Sequence, residues 1–431
     1  MRQKKRERPC LLLAGLLCTL ALLSAAPSSP GSKKQRGTEA LSQIRFWHSI
    51  GTYNKEVLNS LVDDYNRENS DGRVTAVFQG TAEEVYLKLL SNENLPDIVQ
   101  LPIQYLPALK EKGVLADIGS FIPNKLRDDI AKKFWASVTI DGKVWGMPFF
   151  YTVSLLFVNQ HILRSAGVRQ EEEPQSWGEI LSTAEKIRQN TREKWALYIP
   201  METAAQFVAF VQSYTGTQVY RNGRMLVDTP ETAEAMRYLQ DLVFVGKEMP
   251  PRITVDEGVG LFLAGNLGMM LASSSLLVYT ESNLPYDMGV WHLPGKKTSP
   301  PAAMGYCLAL VNTSPKRERE AYRFLDFVTS QQSSIKWHTH SGSPAIRTSV
   351  RDSIDLLIFY EESPNHMSST IELDRARVYS PPLDFLRENK KGFDYLGFNR
   401  ALKKALEEIM INGRNPAEIL GVAQREIDSL K

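Results

Sequence analysis

The feature that most constrains the fold is a pair of segments, Ile44–Gly51 (IRFWHSIG) and Leu95–Val99 (LPDIV). The first predicts a buried strand at Ile44–Trp47 that ends in a turn. Apolar residues then recur from Val57 to Tyr65 at the spacing that lines one face of a helix. The second segment predicts another strand after a helix, which is the order of a βαβ unit. The chain is therefore predicted to be an α/β protein.

The ends of these strands are the first place to expect a binding site, because ligands of such sheets bind beyond the carboxyl ends of the strands. Trp47, His48 and Ser49 lie there. Trp47 and Tyr151 are the aromatic candidates for stacking on a ligand, although either ring could instead pack in the core.

A polar candidate is Ser273–Ser275, which opens a predicted helix after the apolar strand Met269–Ala272. The first N–H groups of a helix are unpaired and favour phosphate, carboxylate or hydroxyl oxygens. The alternative is that one serine only caps the helix.

Length and charge exclude several classes of protein. The 431 residues are enough for two domains. The chain has 51 basic and 49 acidic residues, a net charge of +2. A nucleic-acid or membrane-coating protein needs a larger basic excess, so neither function is supported.

The N-terminus has the order of a secretory signal: a basic segment Met1–Arg8, an apolar run Leu11–Leu23 and the small residues Ser24–Ala26. This predicts a signal peptide at 1–26 and a flexible tether at 27–41. The apolar run is shorter than the roughly 20 residues of a membrane-spanning helix, although a retained anchor is the alternative.

Cysteines are scarce, which limits the covalent chemistry of the exported chain. Cys18, near the end of the signal, is a candidate lipid-attachment site. Only Cys307 lies beyond the signal, so no internal disulfide is predicted.

Motifs along the rest of the chain occur in an order typical of one family. They are Gly142–Asn159, Gln175–Glu179 (QSWGE), Phe262–Ser275 (FLAGNLGMMLASSS), Met304–Val311 and Ser341–Ile346 (SGSPAI). In this order they resemble the extracellular solute-binding proteins of ABC importers, in particular the sugar and glycerol-3-phosphate binding group.

The resemblance implies an α/β, two-lobe periplasmic-binding-protein fold of type II. Three hinge crossings would join the lobes, with the ligand cleft between them. The first lobe would take residues 42–149 and 303–340, and the second 150–302 and 341–431. The implied function is to capture a sugar, polyol, glycerol phosphate or glycerophosphodiester and deliver it to the permease subunits of an ABC importer. Such a protein would be a monomer without a cofactor, in the periplasm or tethered to the outer face of the cytoplasmic membrane.

Candidate ligand-binding residues lie at strand ends, in turns and at the crossings. They are Trp47, His48, Ser49, Gly80, Tyr151, Thr152, Glu202, Ser273, Ser274, Gly305, Tyr306, Ser343, Lys390 and Lys391.

Two of these positions depart from the pattern of glycerol-3-phosphate binders. Those proteins carry a tyrosine where this chain has Ser343, and an arginine after the Pro-Pro-Leu motif, where Lys390 and Lys391 are the nearest cations. Lysine does not reproduce the bidentate geometry of arginine. The resemblance therefore does not identify the ligand.

Catalytic and metal-binding motifs give weaker predictions. Gly289–Lys297 (GVWHLPGKK) has the wrong glycine spacing for a phosphate-binding loop, and Lys297 stands where serine or threonine is needed. His338 and His340 are two residues apart, so on a helix they face different ways and predict no metal site. The alternative function is an exported hydrolase of phosphodiesters or glycosides, which would need a pair of carboxylates in the cleft.

Overall fold

The computed structural model describes residues 42–70, 72–91, 93–191, 194–295, 301–389 and 392–430. The predicted signal peptide, the tether and Cys18 lie outside these ranges, as do Lys297, Lys390 and Lys391. Residues 41–431 form one compact unit. In the described ranges, every helix is too short or too polar to cross a bilayer.

Strands and helices alternate through most of this unit. The strands are β1 Ser42–His48, β2 Gly72–Phe78, β3 Ile98–Pro102, β4 Thr139–Ile140, β5 Lys143–Val144, β6 Met147–Thr152, β7 Ser154–Asn159, β8 Trp195–Tyr198, β9 Tyr220–Arg221, β10 Arg224–Met225, β11 Leu267–Ser273, β12 Met288–His292, β13 Ala302–Leu310 and β14 Arg377–Val378. The helices are α1 Lys55–Glu68, α2 Ala82–Leu90, α3 Leu106–Glu111, α4 Asn124–Asp129, α5 Lys132–Ala136, α6 Gln160–Ser165, α7 Trp177–Asn190, α8 Ala204–Thr215, α9 Pro230–Phe244, α10 Val255–Leu263, α11 Leu277–Asn283, α12 Pro315–Val328, α13 Gln331–Ser341, α14 Thr348–Arg351, α15 Ile354–Glu362, α16 Asn365–Arg375, α17 Pro381–Asn389, α18 Tyr395–Met410 and α19 Pro416–Ser429.

The first sheet has six strands in the order β14-β13-β3-β1-β2, with β6 also paired to β13. Strand β1 runs parallel to β2 and β3, and β13 runs antiparallel to β3 and β6. The predicted strand and helix at the start of the chain are confirmed as β1 and α1. Helix α1 buries Val57, Leu61 and Tyr65 on one face, because that apolar face covers the sheet and its polar residues remain in solvent.

The second sheet has four strands in the order β12-β7-β11-β8. Strand β7 is antiparallel to both of its neighbours, and β11 is parallel to β8. Nearly every residue of β7 and β11 is buried, which explains why their sequences are almost continuously apolar. We call the first sheet with its helices the first lobe, and the second sheet with its helices the second lobe.

The chain passes from the first sheet to the second at Val153. Within the motif Gly142–Asn159 the structure has two strands on either side of this crossing, β6 ending at Thr152 and β7 beginning at Ser154. The change of sheet occurs between Thr152, which is buried, and Ser154, which is half-buried; both side chains line the cavity described below.

The C-terminal part of the chain contributes to both lobes. Helices α18 and α19 pack on α9, whereas the short strand β14 pairs with Ala302–Ala303 of β13 in the first sheet. The sequence had assigned all of 341–431 to the second lobe. A two-residue strand is too short to show a periodicity, so its place in the first sheet had no sequence signal.

Candidate functional site

A cavity of about 270 Å³ lies between the two sheets. Met304 and Tyr306 of β13 line it from the first lobe, and Ser273 and Ser275 line it from the second. Its polar side chains are Tyr53, Thr152, Ser154, Thr203, Gln206, Ser273, Ser275 and Tyr306. An apolar cavity with a few hydroxyl and amide groups is the usual composition of a small-molecule site.

The turn after β11 divides its three serines between two roles. Ser274 is fully buried; its N–H donates to the Val153 carbonyl at 2.8 Å, and its Oγ accepts from the Val153 N–H at 3.2 Å. Ser273 and Ser275 line the cavity, and their Oγ atoms are 2.9 Å apart. Ser273 and Ser275 therefore face the cavity, whereas Ser274 holds the turn against Val153, where the chain passes between the sheets.

The loop after β1 closes the cavity against the second lobe. The Tyr53 hydroxyl donates to the Asp256 carboxylate, and Asn54 Nδ2 donates to the Ser275 carbonyl at 3.0 Å. The Tyr53 and Tyr279 rings meet edge to face with centroids 4.7 Å apart. Burial and the Asp256 carboxylate both raise the pKa of Tyr53, so its hydroxyl keeps the proton that it donates.

The start of α8 forms another wall. Thr203 and Gln206 make a capping box, in which Gln206 Oε1 accepts from the N–H groups of Glu202 and Thr203, both at 2.9 Å. Glu202 Oε2 accepts from the N–H of Val255 at 3.2 Å. The Glu202 side chain therefore contacts residues of the cavity wall and is already hydrogen-bonded.

Of the predicted ligand-binding residues, the structure brings Thr152, Ser273 and Tyr306 together in this cavity. The Tyr306 ring stacks on Phe150 with centroids 4.5 Å apart and 15° between the planes. Burial raises the pKa of Tyr306, so its hydroxyl is neutral and able to donate or accept.

The predicted residues at the end of β1 lie outside the described wall of this cavity. Trp47 is partly buried against the core. Burial lowers the pKa of the His48 imidazole to about 4. The N–H and Oγ of Ser49 donate to Gln100 Oε1 at 3.0 and 3.1 Å.

Tyr151 lies in the core, which is the alternative that the sequence left open. Its ring is fully buried against Phe134 with centroids 4.4 Å apart, and its Oη lies 2.8 Å from Ser137 Oγ. A Cβ on Gly305 would lie 2.5 Å from the Tyr151 ring. The structure therefore explains Gly305 by close packing on this tyrosine.

The last two predicted positions within the described residues also have local structural roles. Ser343 is fully buried, and its carbonyl oxygen accepts a hydrogen bond from His338 Nδ1–H at 2.6 Å. Gly80 has a φ of +96°, a backbone conformation that suits glycine, and lies against Glu84 at the start of α2.

Sequence reasoning missed several residues of the cavity wall, among them Tyr53, Gln206 and Met304. The Thr-x-x-Gln pattern at Thr203–Gln206 is a readable signal of a helix start. Tyr53 and Met304 carried no such signal, because their position depends on how the lobes meet.

Metal ligands do not cluster in the described part of the chain, where no three His, Cys, Asp or Glu side chains are arranged to hold an ion. His340 Nδ1 lies 3.0 Å from the Lys336 carbonyl oxygen. Its neighbour His338 is instead buried in the core.

Comparison with known proteins gives a family and a fold. The sequence model described as bacterial extracellular solute-binding protein matches residues 60–367, more than half of the chain. The sn-glycerol-3-phosphate-binding periplasmic protein UgpB of Shigella flexneri is 22% identical over 426 residues, covering 89% of this chain and 91% of that protein. UgpB of Escherichia coli K12 is equally similar, with the same coverage.

Solved structures share the architecture at lower identity. UgpB from Mycobacterium tuberculosis in complex with glycerophosphocholine is 18% identical, with a TM-score of 0.77 over 90% of this chain and 98% of that one. Maltose-bound MalE3 of T. maritima is 17% identical, with a TM-score of 0.76 over 90% of this chain and 99% of that one. The predicted two-lobe α/β fold is confirmed.

Proposed function

Because the chain belongs to the bacterial extracellular solute-binding proteins, we propose that it captures a small polar solute between its lobes and delivers it to the permease subunits of an ABC importer. The observation that carries the proposal is the cavity of about 270 Å³ with walls from both sheets. A solute held there would contact both lobes at once and so stabilise their closed arrangement. Closure around a ligand is a hinge motion that a membrane partner can recognise.

The solute class follows from the groups that face the cavity. Hydroxyl and amide side chains surround an apolar surface, and the described lining residues include neither lysine nor arginine. Such a wall matches a solute with many hydroxyl groups and an apolar face. We therefore place sugars and polyols first, then glycerophosphodiesters, and glycerol phosphate last. Glycerol phosphate is last because a phosphate monoester gains most from a cation, and the described cavity wall offers no lysine or arginine.

The place of action follows from the family, whose members bind solutes outside the cytoplasm. We propose that the chain is exported, acts as a monomer and works in the periplasm or tethered to the outer face of the cytoplasmic membrane. The alternative of a hydrolase is not supported by the family. The carboxylates of Glu202 and Asp256, which contact the wall residues Val255 and Tyr53, already accept hydrogen bonds from these residues.

Calorimetric titration of the purified exported chain with maltose, glycerophosphocholine and glycerol 3-phosphate tests the proposal. We expect one solute to bind with a stoichiometry of one per chain, and small-angle scattering to show a smaller radius of gyration at saturation. Ser275→Ala should weaken binding because Ser275 lines the cavity. Ser182→Ala, an exposed serine on α7, is the matched control and should bind as wild type. A chain that binds none of the three solutes would contradict the proposal.

A further inference from the structure

A second, smaller cavity lies along the same two walls as the large one. It has a volume of about 20 Å³ and is lined by Ala302 of β13 and Gln212 of α8. Ala302 precedes Met304, which lines the large cavity, by two residues, so both lie on one face of the strand about 7 Å apart. Gln212 follows Ala205, also in the large cavity, by seven residues, which is two helical turns or about 10 Å. The two cavities therefore lie against the same face of β13 and the same face of α8, about 7–10 Å apart along these elements.

The small cavity contains buried hydroxyl groups without a partner. Tyr379 and Ser380 line it, and each is only 6% exposed. Neither hydroxyl has a hydrogen-bond partner in the part of the chain that the structure describes. Their carbonyl groups, by contrast, are paired: the Tyr379 carbonyl accepts from Gln104 Nε2 at 2.9 Å, and the Ser380 carbonyl accepts from the Asp384 N–H at 3.0 Å. A buried hydroxyl without a partner destabilises the fold, so an oxygen atom from outside the chain would complete this site.

The size of the cavity and its other polar groups define which oxygen fits. A volume of about 20 Å³ accommodates about one water-sized group, too little for a phosphate with its four oxygens. Asp384 offers a carboxylate, whereas Gln212 offers an amide. Arg377 lies beside them and donates to Gln218 Oε1 at 3.0 Å and to Asp384 Oδ2 at 3.5 Å. A hydroxyl group both donates and accepts, so it can satisfy the carboxylate and the amide together.

We infer that the small cavity is a second subsite, which takes a terminal hydroxyl group of a neutral, extended, polyhydroxylated solute whose body fills the large cavity. The inference rests on the proposed function and narrows it, because a solute that ends within the large cavity would leave Ser380 without a partner. It predicts that a disaccharide binds more tightly than the corresponding monosaccharide.

Titration of the full chain with glucose and maltose, in wild type and in Ser380→Ala, tests the subsite. Wild type should bind maltose more tightly than glucose. Ser380→Ala should lose about 3- to 10-fold in affinity for maltose, the worth of one hydrogen bond, and less than 2-fold for glucose. The variant should melt at the wild-type temperature or above it, because the deleted hydroxyl has no partner within the described chain. Gln212→Met should reduce the same preference for maltose.

Ser275→Ala is the matched control, because Ser275 lines the large cavity and is not among the residues that line the small one. It should weaken glucose and maltose by similar factors. A maltose-to-glucose affinity ratio that is the same in Ser380→Ala as in wild type would mean that the small cavity holds only water, and would overturn the subsite. Wild type that binds glycerophosphocholine but neither sugar would also overturn it and leave the proposed function standing. No binding of any of these solutes would overturn both.

Discussion

Replacing Ser274 by alanine should destabilise the fold and leave solute binding nearly intact. Ser274 Oγ accepts from the Val153 N–H at 3.2 Å, and Val153 is only 2% exposed. Alanine removes that acceptor and leaves the buried N–H unpaired, which costs about 1–3 kcal/mol of the free energy of unfolding. The second hydrogen bond, from the Ser274 N–H to the Val153 carbonyl, involves only backbone atoms and remains.

Thermal melting and calorimetric titration of Ser274→Ala and Ser275→Ala together form the assay. Each kcal/mol corresponds to at most about 2–4 °C in Tm for a chain of this size, so Ser274→Ala should melt several degrees below wild type. Its affinity, measured well below the melting temperature, should lie within about 2-fold of wild type. Ser275→Ala should show the opposite pattern, because the Ser275 Oγ faces the cavity, where it pairs with the Ser273 hydroxyl.

The reasoning would be refuted by a Ser274→Ala variant that melts with wild type and no longer binds the solute. That result would mean that Ser274 contacts the ligand directly and that its hydrogen bond to Val153 carries no stability.

Three further predictions concern packing, pH and closure. Gly258→Ala should lower the free energy of unfolding by about 1–3 kcal/mol, because its Cβ would lie 2.5 Å from the Tyr198 ring. Gly260→Ala, on the same helix, meets nothing within 4 Å and should raise the free energy of unfolding by up to about 1 kcal/mol. Denaturant unfolding of the two variants compares these values. Burial holds the pKa of His338 at about 4 against an ordinary 6.5, so the unfolded chain takes up the proton first. The neutral His338 imidazole therefore leaves the free energy of unfolding at its full value above pH 6.5, and about 3 kcal/mol of it is lost as the pH falls towards 4. His338→Gln should flatten that part of the curve of stability against pH. Tyr53→Phe removes the hydrogen bond to Asp256 and should bind the solute about 2- to 10-fold more weakly. Small-angle scattering of this variant should give a larger radius of gyration than wild type. Unchanged scattering and affinity would exclude a role for this contact in closure.

Local patterns were sufficient to predict the elements that lie against one sheet. Strand β1 and helix α1 follow from apolar periodicity alone, and the Asp141-Gly142 hairpin follows from its turn residues, which have φ of +53° and +75°. Ser176 caps α7, its Oγ accepting from the Glu179 N–H, and a serine just before a helix is a local signal of its start. Each of these features depends on residues that are neighbours in the sequence, so the sequence contains the whole signal.

The cavity depends on contacts between distant segments, and there the sequence was a poorer guide. Tyr53 meets Asp256 only because the lobes close, and nothing near Tyr53 in the sequence marks that partner. Tyr151 and Trp47 were both aromatic candidates for stacking on a ligand, and the packing of Phe134 and Gly305 places Tyr151 in the core. Three consecutive serines likewise look alike until the Val153 backbone is seen to bind the middle one.

The pairing of Val153 with Ser274 also bears on how closure acts on the cavity. Both backbone groups of Val153 are bonded to Ser274, so the crossing cannot rotate against the turn without breaking two buried hydrogen bonds. We therefore expect Ser273 and Ser275 to move with Val153 as one body. Met304 and Tyr306 stand on the other sheet, so closure changes their distance from the serines and leaves the turn unaltered. A solute that spans this gap contacts atoms on both sheets, and the hinge sets the distance between those atoms. The size of the solute therefore determines how far the lobes can close.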